Sequence, residues 1–264
     1  MLRGTTQRER AMQAAHEKVV EAQFGPRARA YVESAVHATG EDLEALEAIV
    51  RQRRPTRALD LGTGGHVAYL LARHAAAVTA ADLSAEMLVA VAATARERGL
   101  ENLVTAEAAA ERLPFADGSF NFLACRYSAH HWRDFEGGLR EARRVLAAGA
   151  PAVFVDAYAA GAALLDTHLQ AIELLRDTSH VRNRTAGEWL AALGRAGFAV
   201  HACRTWRLRM DFPVWIARMR TPAIHVHAIR ALQEAAAAET RAHFAIEPDG
   251  SFLLDVLMVE TVAT

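Results

Sequence analysis

Arg57-Ala58-Leu59-Asp60-Leu61, followed at once by Gly62-Thr63-Gly64-Gly65-His66, reads as a short buried strand running into a glycine-rich turn. A helix follows near Val67 to His74, and a second strand over Val78 to Leu83 carries Asp82, 22 residues beyond Asp60. Glycines in such a turn permit positive φ and let a ligand approach the backbone, and a carboxylate at the second strand end can accept hydrogen bonds from ribose hydroxyls. The unit is the opening of a nucleotide-binding α/β sheet.

Working outward, strands and helices keep alternating. A helix is predicted over Ala85 to Arg98, a strand near Leu103 to Glu107, a strand over Phe120 to Arg126, a helix over Glu136 to Leu146 and a strand over Ala152 to Ala157. This spacing implies a parallel sheet covered on both faces, with its active edge at the carboxyl ends of the strands. Upstream, residues 1 to 22 and 27 to 38 read as helices broken by Phe24-Gly25-Pro26, and Leu43, Leu46, Ile49 and Val50 mark a third. Downstream, Tyr158 to Thr185 is helical, charged and too long for a connection, so it reads as a cap over the site. Trp189 to Gly197 is a core helix, Val200 to Phe212 and Ser251 to Val262 alternate as antiparallel strands, and Pro213 to Ala242 is mostly helical. The expectation is one α/β Rossmann-like domain over residues 1–264 with a mostly parallel seven-stranded sheet. Helices cover both faces, with an N-terminal helical cap over about 1–50 and helical lid insertions over about 158–188 and 213–242.

The 30 Lys plus Arg against 31 Asp plus Glu leave a net charge of −1, which offers no broad field for a phosphate backbone or an anionic membrane. Nucleic acid and membrane are therefore excluded as partners. Cys125 and Cys203 fall in predicted strands, which suits reduced thiols and implies no metal site. No run reaches the roughly 18 apolar residues of a membrane span, and Met1 to Arg10 lacks the apolar core of a signal peptide, so the expected compartment is the cytoplasm and the expected assembly a monomer or homodimer.

Asp60 separates the possible ligands. A carboxylate beside the turn repels a dinucleotide pyrophosphate and attracts the ammonium and sulfonium of S-adenosylmethionine (SAM). The dinucleotide pattern G-x-G-x-x-G also fails, because Val67 stands three positions after Gly64. Together with Ala81-Asp82-Leu83-Ser84-Ala85-Glu86-Met87-Leu88, Ala110-Glu111-Arg112-Leu113-Pro114-Phe115-Ala116-Asp117, Arg126-Tyr127-Ser128-Ala129-His130-His131-Trp132, Arg144-Val145-Leu146 and the stretch Leu175 to Asn183, the chain resembles the class I SAM methyltransferases, specifically the UbiE/YafE-like branch that acts on small molecules.

That resemblance implies Asp60, Gly62 and Gly64 at the methionyl part of SAM, Asp82 at its ribose, Leu83, Met87, Ala110 and Glu111 at its adenine, and Arg126 bordering the methionyl group. It also implies release of S-adenosylhomocysteine. Phe24 and Tyr31 precede the first strand, where related enzymes fold a helix over the cofactor. Two features depart from the family pattern: the turn is one residue short, and Ala109 stands where an acid often binds the adenine amino group.

In-line methyl transfer needs a base only if the acceptor carries a proton, and His131 and His130 are the candidates. Phe24, Tyr127, Trp132, His180 and Arg184 are candidates for the acceptor site. A plain structural role stays open for each: Asp60 capping the following helix, His130 and His131 as rim residues, Trp132 as packing, and Arg176, His180, Arg182 and Arg184 as a solvated face. The expected acceptor is a small heteroaromatic or ring-containing molecule, an azapteridine N-methylated as in toxoflavin being one possibility by analogy. The alternative is a protein of this fold that binds SAM without transferring its methyl group.

Overall fold

The computed structural model describes residues 7–32 and 40–264. Gln7–Phe24 (α1) and Ala28–Val32 (α2) flank a single 3-10 turn and lead to Glu41–Arg53 (α3). Then come Arg57–Leu61 (β1), His66–Ala72 (α4), Ala77–Asp82 (β2), Ala85–Glu97 (α5), Leu103–Glu107 (β3), Phe122–Arg126 (β4), Phe135–Val145 (α6) and Pro151–Ala157 (β5). Ala163–Arg176 (α7), Ala186–Ala196 (α8), Phe198–Met210 (β6), Phe212–Met219 (α9), Ala223–Glu234 (α10), Ala238–Phe244 (α11) and Phe252–Ala263 (β7) complete the chain.

The seven strands form one sheet in the order β3-β2-β1-β4-β5-β7-β6. The first five pair in parallel, and β7 runs antiparallel to both β5 and β6. Strand alternation sorts the side chains to two cores. Leu59, Leu61, Leu123, Cys125 and Phe154 pack with Leu139 of α6 and Trp189 of α8. Ala58, Phe122, Ala124, Val153 and Val155 pack on the other face with Leu46, Leu71 and Val91 from α3, α4 and α5. This double burial is why β1 and β4 read as nearly unbroken apolar runs.

A third cluster lies beyond the carboxyl end of β5. Leu169 and Ile172 of α7 meet Phe212 and Trp215 of α9, Ile229 of α10 and Phe244 of α11, against Met210, Phe252 and Leu254 from the far ends of β6 and β7. The two insertions expected separately thus pack as one helical body, rooted in the antiparallel pair. Those strands sit two residues earlier and one residue later than their spacing suggests, and β7 is buried almost throughout because β5 and β6 flank it. Among the described residues, no helix is long and apolar enough to cross a membrane.

Candidate active site

The site lies at the carboxyl edge of the parallel strands, where β1 and β4 lead apart, as expected for an open α/β sheet. The turn after β1 is held by three backbone features. The N–H groups of Gly62 and Thr63 both donate to the carbonyl of Ala81, at 2.9 and 3.0 Å, tying the turn to β2. Gly62 adopts φ +75°, and a Cβ there would lie 1.9 Å from Ser128 Oγ, so only glycine lets the turn pass the loop after β4. Thr63 closes the rest: its hydroxyl donates to Asp60 Oδ2 at 2.5 Å and accepts from the Gly65 N–H at 3.0 Å.

Asp60 is 1 % exposed. Burial pushes its carboxyl up to about 7, against the hydrogen bonds from Thr63 and the Ala68 amide and the charge of Arg126. The Ala68 contact sits in the first turn of α4, so Asp60 serves that helix end while also facing the cavity. Asp82 ends β2, and its Oδ1 accepts from the Ser84 N–H at 2.8 Å. Burial lifts it too to about 7, and the nearby charge of Asp60 adds to the rise.

These carboxylates line a first cavity together with Gly62, Gly64, Leu83, Met87, Ala110, Glu111 and Arg126. Phe24, Tyr127, His131 and Trp132 complete its wall, along with His16, Glu17 and Val20 of α1. Tyr31 lies on α2, and its side chain is outside the described residues. The last three were not anticipated: helix α1 carries no motif, and only its position ahead of the sheet suggested a cover. The cover is anchored by His16 Nε2, 3.0 Å from the His131 carbonyl, and by Phe24, whose ring meets His131 edge-on at 5.1 Å. Trp132 donates from Nε1 to Ser128 Oγ at 3.1 Å. Ala109 also lines the cavity, so an apolar methyl group takes the place of the acid.

A second cavity opens on the other side of Arg126 and Tyr127, which line both. Arg126 pairs with Asp42 at 2.6 Å and lies over the Tyr127 ring at 4.6 Å. Tyr127 itself is held at φ +52°, a strained conformation for a bulky residue. Trp206, Leu208, Met210 and Trp215 give the second cavity apolar walls, with Glu173, Arg176, Asn183, Arg207 and Arg218 among its polar lining. Its guanidinium groups are met by carboxylates: Arg126 pairs with Asp42, Arg176 lies 3.7 Å from Glu173, and Arg207 lies 2.9 Å from Asp255.

The adjacent histidines separate here. His130 lines the second cavity and His131 the first, with ring centroids 4.1 Å apart. Asp156, 2 % exposed at the end of β5, accepts from the His130 backbone N–H at 3.1 Å and sits 2.6 Å from its Nδ1. Burial opposes a charge on His130, but the Asp156 carboxylate, with Glu173 and Asp177 adding to it, outweighs burial and the pKa is raised. His131 turns Nδ1 to the Ser179 carbonyl at 3.1 Å, and burial together with the neighbouring His130 charge lowers its pKa.

His180 and Arg184 line neither cavity. His180 is buried, with Nε2 2.9 Å from Gln170 Oε1, and burial lowers its pKa to about 2. Arg184 lies over the Phe135 ring at 5.2 Å, on the far side of the loop. The residues that sequence reasoning gave no role are Asp42, Thr63, Ser128, Asp156, Trp206 and Trp215. For Asp156 a signal existed: one acid inside the apolar run of β5 is costly unless it has a partner.

A methyltransferase-domain family pattern matches residues 59–154, from β1 to β5. Over 196 residues, 74% of this chain and 95% of the other, the sequence is 44% identical to the uncharacterized protein YafE of Escherichia coli (strain K12). It is 35% identical over 204 residues to the uncharacterized methyltransferase YcgJ of Bacillus subtilis (strain 168), covering 77% of this chain and 81% of YcgJ. The crystal structure of YcgJ matches with a TM-score of 0.80 at 31% identity, over 84% of this chain and 97% of YcgJ. The chain belongs to the class I SAM-dependent methyltransferases of the UbiE/YafE type.

A stretch of 108 residues of this methyltransferase is also 38% identical to the demethylmenaquinone methyltransferase of Thermus thermophilus, covering 40% of this chain and 49% of that enzyme. The first cavity fits SAM by the chemistry of its lining: the carboxylates of Asp60 and Asp82 for cationic and hydroxyl groups, and apolar Leu83 and Met87 for a flat ring.

Proposed function

We propose that this methyltransferase binds SAM in the first cavity and methylates a small, ring-containing acceptor held in the second, with His130 as the base that takes the acceptor's proton. The observation that carries the reading is the junction: two cavities meet at Arg126 and Tyr127, and the Asp156-held imidazole of His130 lines the acceptor side. Asp60, Gly62 and Gly64 would hold the methionyl end of SAM, Asp82 its ribose, and Leu83, Met87, Ala110 and Glu111 its adenine. When bound, SAM supplies an electrophilic methyl carbon.

The chain's residues do the rest. Tyr127, Phe24 and Trp132 exclude water from the approach, and Arg126, neutralised by Asp42, keeps the junction polar without net charge. Asp156 fixes the imidazole through Nδ1, which leaves Nε2 as the nitrogen to accept a proton, and its carboxylate stabilises the imidazolium that results. The aromatic and aliphatic walls favour a planar ring, and the name of the Thermus thermophilus relative denotes action on a quinone-type ring. An azapteridine is one ring within that class.

Incubation of the purified protein with methyl-labelled SAM and a bacterial metabolite extract tests the reading. Label is expected in a low-molecular-weight ring compound, together with S-adenosylhomocysteine. SAM binding by calorimetry without label in any product would favour a non-methylating reaction, and label in protein or nucleic acid would refute a small acceptor.

A further inference from the structure

Asn183 lies in the loop between α7 and α8, and its backbone is clamped. Gln170 Nε2 donates to the Asn183 carbonyl at 2.8 Å, and the Asn183 N–H donates to Gln170 Oε1 at 3.1 Å. The same loop is tied to the junction through the N–H groups of Val181 and Arg182, which donate to the His130 carbonyl at 2.9 and 3.1 Å. With its main chain fixed, Asn183 is among the residues that line the second cavity and is 1 % exposed. Among the described residues, neither its Nδ2 nor its Oδ1 has a hydrogen-bond partner.

An amide buried in this state carries an uncompensated desolvation cost that an apolar side chain of the same shape avoids. The cost has a natural counterpart in a ligand. Resting on the assignment of this cavity to the acceptor, we infer that Asn183 is a specificity-determining residue that reads an amide-like edge of the acceptor ring, a ring N–H beside a ring carbonyl. Oδ1 accepts from the N–H and Nδ2 donates to the carbonyl oxygen, the two-point pairing that asparagine makes with any planar edge of complementary pattern.

The surroundings narrow the choice further. A carboxylate ligand would satisfy Nδ2 but set an anion against Oδ1. It would also find the guanidinium groups of Arg126, Arg176 and Arg207 already matched to carboxylates. A purely hydrocarbon ring would leave both amide functions unpaired. Trp206 and Trp215 offer the flat, apolar walls that suit a bicyclic ring.

The test uses the full chain saturated with S-adenosylhomocysteine, titrated by calorimetry with 2-quinolone, N-methyl-2-quinolone and quinoline-2-carboxylate. 2-Quinolone is expected to bind, and the other two about tenfold or more weakly. Asn183→Leu should bring 2-quinolone down to the affinity of its N-methyl derivative while leaving the melting temperature unchanged or higher. Equal affinities for the three probes in the native protein, preference for the carboxylate, or a variant that melts lower with the preference intact would each overturn the role of Asn183 alone. If no probe binds while S-adenosylhomocysteine is in place, or each binds only by displacing it, the acceptor assignment of the cavity falls, and the inference with it.

Discussion

The two cavities share Arg126 and Tyr127 but are made of different material. The proposed SAM side has a floor of backbone and strand ends under a cover from α1: a turn tied to Ala81, glycine at the closest approach to the loop after β4, and a carboxylate from each of β1 and β2. The proposed acceptor side is lined by side chains brought from distant segments: His130 after β4, Glu173 and Arg176 on α7, Trp206 on β6 and Trp215 on α9. A cavity built from backbone at a sheet edge tolerates little variation and suits a ligand common to a whole family. A cavity built from insertions can be re-lined without disturbing the sheet, which suits the reactant that differs from one relative to the next.

The contrast is broken most sharply at His130. Removal of a general base costs about 10²–10⁴-fold in rate, so His130→Ala should lower kcat by that order while the SAM dissociation constant stays within about twofold. A loss of SAM affinity comparable to the loss of turnover would mean that the two cavities are not separate in function. Asp156→Asn sharpens the point through pH. The Asp156 carboxylate holds the His130 pKa up, and the base works only when neutral, so turnover falls as the solution is acidified through that pKa. Without the charge the pKa drops, and the acid limb of the rate profile should move to lower pH even as the maximum rate declines.

Next in size are the carboxylates of the SAM side. Asp82→Ala should weaken SAM binding by about 1.5–3 kcal/mol, the worth of a hydrogen bond involving a charged group, and leave probe binding in the second cavity unchanged. Unaltered SAM affinity would show that the ribose lies elsewhere. The native pair also predicts a pH dependence. Both Asp60 and Asp82 sit at about 7 in the free protein, far above the ordinary 3.8, because burial disfavours their charge. A raised pKa means that the stability these groups contribute is complete below 3.8 and is lost as pH climbs through about 7. A cationic ligand favours the ionised forms, so binding expels protons below pH 7. SAM affinity should therefore fall with acidity by about tenfold per pH unit for each proton released, and flatten above pH 7. Calorimetry in buffers of different ionisation enthalpy counts those protons directly.

The legibility of the two sides differs for the same reason. The stretch from Arg57 to Asp82 announces itself because glycine, a strand-end acid and an apolar run each have a local cause, and the strand alternation that follows has one too. The helical nature of 163–176 and 212–244 is likewise local. What these helices pack against is not, so Trp206 and Trp215 gave no sign of meeting across a cavity. His130 and His131 are the sharpest case. They are neighbours in a three-residue 3-10 turn spanning Ala129–His131, and their spacing alone cannot tell which faces which ligand. The partner that decides it, Asp156, lies 26 residues away on β5. His180 and Arg184 were plausible pocket residues because they belong to the lid stretch. Gln170 and Phe135 draw them elsewhere.

The smallest expected effect concerns the turn itself, which the sequence reading sets one residue short of the general family pattern. A shortened turn has fewer peptide groups to satisfy Asp60 and the start of α4, and the Thr63 hydroxyl supplies both, donating to the acid and accepting from Gly65. Thr63→Val keeps the shape, removes the hydroxyl and leaves the buried Asp60 short of a donor. It should cost about 1–3 kcal/mol of stability in urea denaturation and weaken SAM by a similar factor, while Thr63→Ser, which keeps the hydroxyl, stays near the native values. The distinguishing sign is the pH profile. With one fewer hydrogen bond to its charged form, Asp60 in Thr63→Val should ionise at still higher pH, moving the flat region of SAM binding upward. If the valine and serine variants behave alike, the hydroxyl does not bridge the turn, and some other group holds Asp60 in place.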